Sequence, residues 1–177
     1  WFSMMIFFII SLVNSVRYLR NGDLRYDTYS VEYANIGILF GILGLVTGMI
    51  WANYTWGKPW SNDPKQIGAA IALLIYFAYM VLRNSLVDPD KRAKISAVYN
   101  IFAFAMLFPT LWIIPRLVES LHPGGMGNPA LNTNDIDSRM RTLFWPVAVP
   151  AWTLLGVWIT TLRIRFKLLE EQKLEHA

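Results

Sequence analysis

The sequence contains no cysteine. That excludes a disulfide framework, a thiolate metal site and a cysteine nucleophile. Charge is also scarce: 16% of the residues are charged, against about 25% in an average soluble domain. Histidine is nearly absent, with His122 and His176 the two in the chain. No Ser/His/Asp set, phosphate loop or HExxH pair occurs, so nothing supports catalysis and the chain reads as a non-enzyme. The formal charge of +4 does not point to nucleic acid, because the basic residues cluster beside apolar runs.

What is present is apolar and ordered. The chain is 55% hydrophobic and 15% aromatic, with eight tryptophans. Five apolar runs are separated by charged or Gly/Pro-rich connectors. They cover Trp1 to about Val16, Tyr33 to Trp51, Ile67 to Leu82, Ile95 to Leu117 and Leu143 to Leu162. A spanning helix needs roughly 20 residues. The pattern predicts an all-α, polytopic membrane helix bundle, a single membrane domain over residues 1–177 with five transmembrane helices. The first run opens on Trp1 with no polar flank and no signal-peptide layout, so the chain is expected to begin inside a helix, with something missing upstream.

Basic residues set an expected orientation. The connectors 17–32 and 83–94 and the tail 163–177 hold eleven Lys and Arg; the other connectors hold five. The positive-inside rule places the first set in the cytoplasm of a bacterial inner membrane. A tryptophan-rich loop, 52–66, and a loop, 118–142, carrying His122 then face outward. The acidic residues fall mostly in connectors, where a solvated surface is the expected setting.

The outer connectors hold the unusual residues. Trp51, Trp56 and Trp60 crowd into "WANYTWGKPWSNDPK", and a helical reading would put Trp56 and Trp60 on one face. His122 lies past a helix that Pro123-Gly124-Gly125 would end. Interfacial tryptophans normally form an aromatic belt, and a loop histidine is normally solvated. An outward histidine beside an aromatic shelf also fits haem, whose iron takes an axial imidazole, whose ring takes aromatic cover and whose propionates take Lys or Arg. A transporter subunit and a scaffold without haem are the alternatives, although a transporter would call for ionisable residues in mid-membrane.

The same stretch resembles the tryptophan-rich signature of the CcmC/CcsA family, haem-handling membrane proteins of cytochrome c maturation. That signature reads W-G-x-x-W-x-W-D followed by a basic residue; Trp56, Gly57, Trp60, Asp63 and Lys65 match it, and Trp51 matches an upstream tryptophan. Asn62 stands where the family usually has its third tryptophan. "FPTLWIIPRLVESLHPGG" is similar to the family's later segment, in which a helix proline, here Pro109, precedes a histidine in an L-H-x-G context, here His122. The resemblance implies six helices in the full CcmC-type protein and haem (protohaem) as the group handled. It implies His122 as one iron ligand and a second histidine upstream of Trp1. It further implies a periplasmic haem chaperone, ATP-binding-cassette transporter subunits and small membrane subunits as partners, beside the membrane lipid.

Two further patterns concern packing. Gly37, Gly41, Gly44 and Gly48 fall on one face of the second run, which predicts close helix approach in lipid. Pro109 and Pro115 should bend the fourth run toward its outer end. Pro146 and Pro150 lie early in the fifth, where proline is tolerated better. Asp63 is expected to orient the tryptophan-rich segment by accepting backbone N–H groups or pairing with Lys65.

Overall fold

The computed structural model describes residues 1–122 and 138–175. Its helices run in the order α1 (Phe2–Asn21), α2 (Leu24–Trp56), α3 (Pro64–Asn84) and α4 (Pro89–Phe108), then α5 (Ile114–Leu117), α6 (Ser138–Leu143) and α7 (Val149–Glu175). A π-helical turn, Pro109–Ile113, joins α4 to α5, and another, Phe144–Ala148, joins α6 to α7. No strand occurs among the described residues. Five helical segments are long and apolar enough to cross a membrane, as the sequence predicts. His176 and the segment Pro123-Gly124-Gly125 lie outside the described residues.

Two connectors are shorter than the sequence implied. Between α1 and α2 only Gly22 and Asp23 intervene. Gly22 adopts φ 71°, and its N–H bonds the Tyr18 carbonyl, the left-handed closure that glycine permits. Asp23 then caps α2 by accepting the Arg25 N–H at 2.9 Å. At the other end α2 continues through Trp56, so the tryptophan-rich connector is 57–63. Trp56 and Trp60 therefore do not share a helix face.

The longer α2 relocates two carboxylates. Asp27 and Glu32 are buried rather than solvated, because both lie on helical turns that face other helices. Asp27 accepts both terminal nitrogens of Arg83 on α3, at 2.7 and 2.6 Å. Glu32 has no exposed side-chain surface and pairs with Arg163 at 2.5 Å and Lys167 at 2.6 Å, both on α7. These pairs stand at one end of the bundle, where burial demands partners for charge.

The interior is aromatic with one polar knot. Phe8 stacks on Tyr76 with ring centroids 3.7 Å apart. Gly37 admits that pair: a Cβ there would lie 2.5 Å from the Phe8 ring. Gly41 and Gly44 likewise face Leu73 and Trp1, whereas Gly48 faces open space. The glycine stripe is thus a packing face over its first three members. Nearby, the Asn100 Nδ2 of α4 lies 2.8 and 2.9 Å from the Ser11 and Ser15 hydroxyls of α1 and 3.2 Å from the Ser30 hydroxyl of α2. Such interhelical bonds contribute about 0.6 kcal/mol each in a bilayer.

The prolines act through the π turns. In the first, the Ile114 N–H reaches back to the Pro109 carbonyl. Pro115 follows and has no N–H to give, and its ring would clash in a regular α-helix; widening by one residue relieves this. Pro150 stands in the same relation to the second turn, where the Val149 N–H bonds Phe144. The widened turn presents the Thr110 carbonyl to Gly68 of α3, so closely that a Cβ there would overlap the oxygen. The start of α3 and the α4–α5 segment are thereby held together, and both candidate connectors leave from this end.

Candidate haem-ligand site

Asp63 is the hinge of the site. It precedes Pro64 and is the N-cap of α3, with its Oδ1 accepting the Lys65 N–H at 2.9 Å. Aspartate before a first-turn proline is a strong helix start. Its side chain is fully buried, and a capping carboxylate alone would not require that. The burial comes from the segment after α5. Asp63 Oδ2 accepts the Ser120 hydroxyl at 2.8 Å and the Leu121 N–H at 2.6 Å, and Oδ1 also meets His122 Nδ1 at 2.9 Å. One carboxylate therefore ties the 57–63 connector and the segment after α5 together through four donors.

The electrostatics follow from that geometry. Burial raises the Asp63 carboxyl, but hydrogen bonds from Ser120, Leu121 and Lys65 and the nearby His122 outweigh it and hold the group below its ordinary value. Burial is the largest influence on His122 and lowers it; Asp63 pulls it back up, Lys65 pushes it down, and the net shift is downward. His122 is thus a neutral imidazole at neutral pH. A carboxylate that accepts from Nδ1 fixes the tautomer with the hydrogen on Nδ1. Nε2 then keeps its lone pair. This carboxylate–histidine arrangement is the one that metal-ligating histidines use.

Two indoles pack beside the imidazole. The Trp56 ring meets it edge-on at 4.8 Å, and the Trp51 ring lies 5.9 Å away, tilted by 31°. Trp51 and Trp56 touch edge to face at 5.1 Å. Helix α2 positions both, and Gly57 ends it with φ 72° and an N–H bonded to Asn53.

Of the residues singled out in the sequence, Trp51, Trp56, Asp63 and His122 come together, with Lys65 joined through its backbone. Trp60 stands apart: no ring contact joins it to His122 among the described residues, and its indole N–H donates to Asn62 at 2.8 Å. Asn62 has φ 57°, a left-handed conformation that asparagine adopts far more readily than tryptophan. The departure from the family signature thus anchors Trp60. Ser120 and Gln66 were not anticipated. The Gln66 carbonyl oxygen accepts from the Ser61 N–H and hydroxyl, and its amide donates to the Pro59 carbonyl, which folds the connector onto α3. A serine two residues before a histidine carries a signal only once the partner carboxylate is known.

Fold and site together define an integral membrane protein with an imidazole, oriented by a carboxylate, at one end of a helix bundle. The cytochrome c assembly protein family matches residues 1–124, and the chain belongs to that family. Among curated proteins, the cytochrome c biogenesis protein CcsA of Parasynechococcus marenigrum is 35% identical over 96 residues, 54% of this chain and 31% of that protein. CcsA of Prochlorococcus marinus is 42% identical over 74 residues, 42% of this chain and 23% of its own length. The matched part is therefore less than a third of these relatives' length. No solved structure matches the chain.

Proposed function

We propose that this chain binds haem through His122 in cytochrome c maturation and delivers it to a periplasmic haem chaperone. The observation that supports the reading is the Asp63–His122 hydrogen bond of 2.9 Å, with the Trp51 and Trp56 rings packed beside the imidazole. An imidazole so held offers Nε2 to iron without spending free energy on tautomer or ring orientation. Trp51 and Trp56 supply flat apolar cover for a porphyrin. Trp60, fixed by Asn62, extends that cover at the connector's edge, and Gly57 gives the turn that separates the two parts. Lys65 supplies positive charge for a propionate. Haem is cargo here. The family resemblance implies a second histidine as the other iron ligand, and no residue of this chain is assigned that role.

The protein sits in the bacterial inner membrane with the 57–63 connector and His122 on the periplasmic side, in keeping with the distribution of basic residues. Its partners are the haem chaperone and the ATP-binding-cassette and small membrane subunits of the maturation system. The experiment is to purify the full-length protein with its haem and compare it with His122→Ala. Loss of the iron-ligand absorption bands in the variant, with normal membrane insertion, is the expected result. A haem spectrum unchanged in His122→Ala overturns the reading.

A further inference from the structure

At the end of the bundle opposite His122, the helices leave a cavity of about 440 Å³. Four helices line it: Leu24, Asp27 and Thr28 of α2, Arg83 of α3, Pro89 and Arg92 of α4, and Lys167 and Glu170 of α7. Three cations face two carboxylates across it. The Asp27–Arg83 pair is bidentate and satisfied within itself. Lys167 shares Glu32 with Arg163, so one carboxylate serves two cations. Arg92 differs from these: its Nε is buried and has no hydrogen-bond partner. An unpartnered buried donor on a guanidinium is costly unless an acceptor arrives. The acceptor that matches a guanidinium fork is a phosphate or carboxylate oxygen.

We propose that this cavity binds the phosphate of an anionic phospholipid headgroup, with Arg92 as its principal ligand and Lys167 as the second charge. Position favours a lipid. Leu24 and Pro89 begin α2 and α4, so the cavity lies at the level where apolar helix surface gives way to charge. A basic pocket between membrane helices is the usual seat of an anionic headgroup. Glu170 lines the same cavity and disfavours a second negative charge, so a singly charged diester fits better than a free dianion. The bound lipid would bridge α4 and α7, whose backbones do not pack directly on each other among the described residues. The proposal does not use the haem site and stands or falls separately from it.

The test takes the full-length protein in a neutral detergent and adds phosphatidylglycerol, phosphatidylcholine or inorganic phosphate, reading retained lipid by native mass spectrometry and the shift in thermal unfolding. Phosphatidylglycerol should bind and stabilise, and phosphatidylcholine should do so much less. Arg92→Gln should weaken phosphatidylglycerol binding about five- to tenfold, the effect of one cation near a headgroup, and Arg92→Lys should recover part of it. Arg165→Gln, an exposed α7 change outside the cavity, should leave binding unchanged. Stabilisation by inorganic phosphate equal to that by phosphatidylglycerol overturns the lipid as occupant. Binding that ignores Arg92, or follows Arg165 equally, overturns the site.

Discussion

Removing the Asp63 carboxylate tests the tie between the two connectors most sharply. Asp63 accepts four hydrogen bonds, from Lys65, Ser120, Leu121 and His122. Asp63→Asn keeps a good N-cap, so α3 should still start at Pro64. If the asparagine oxygen stays on Lys65 and His122, its NH2 faces the Ser120 hydroxyl and the Leu121 N–H. The hydroxyl can turn to accept; the Leu121 N–H cannot, and it loses its partner. The bond to His122 also drops from charge-assisted to neutral, about half its strength. Haem affinity should fall about 10- to 100-fold, as for a lost carboxylate behind a ligating histidine. Asp63→Ala removes the cap as well, a further cost of about 1 kcal/mol to α3, and should release haem almost completely. The assay is transfer of haem from the full-length protein to a scavenger, followed by absorbance, with membrane insertion checked in parallel. Wild-type retention in Asp63→Ala would refute the claim that Asp63 holds His122 for iron.

Other expectations follow from the same contacts. The His122 pKa is depressed below its ordinary 6.5, so the unfolded state takes up its proton first; the stabilisation from His122 is complete above pH 6.5 and shrinks as pH falls through that value toward the folded pKa. His122→Gln should flatten this loss in thermal unfolding followed from neutral to mildly acidic pH. Glu32→Ala should strand Arg163 and Lys167 and cost about 2 kcal/mol, less than a fully buried pair because both cations remain partly exposed. Ser3 and Thr153 hydroxyls lie 3.2 Å apart, so cross-linking of Ser3→Cys with Thr153→Cys reports whether α7 stays docked in that variant. Gly68→Ala should displace α3 from the Thr110 carbonyl, costing about 1–3 kcal/mol as an overpacked contact and loosening haem without touching it. Since the chain has no cysteine, Asn62→Cys should label from outside intact spheroplasts and Val87→Cys only after permeabilisation.

The helix count was legible because lipid leaves a coarse signal: a run of apolar residues long enough to span. Boundaries were less so. Asp27 and Glu32 are polar residues inside a helix, and the sequence carries no local sign that Arg83 of α3 and Arg163 and Lys167 of α7 come from two distant helices to meet them. The α2 extension to Trp56 hid behind tryptophan and tyrosine, which suit an interface and a helix end equally. The expectation that Asp63 accepts backbone N–H groups matches its bond from the Lys65 N–H. The hold of Asp63 on Ser120, Leu121 and His122 was not legible, because the two segments lie almost sixty positions apart and are joined by the packing of α3 against α4, the π turn and α5. The π turns escaped for a similar reason. Pro115 and Pro150 signal a disturbed helix, but whether it kinks or widens depends on neighbours such as Gly68.

The central claim is that His122 Nε2 is the nitrogen offered to haem iron. Its most direct measurement is resonance Raman spectroscopy of the haem-loaded full-length protein in natural-abundance and 15N-histidine forms, beside His122→Ala. A mode of two imidazoles on one iron that shifts with the label and is lost in His122→Ala is the predicted result. A labelled mode that persists unchanged in His122→Ala would contradict the account.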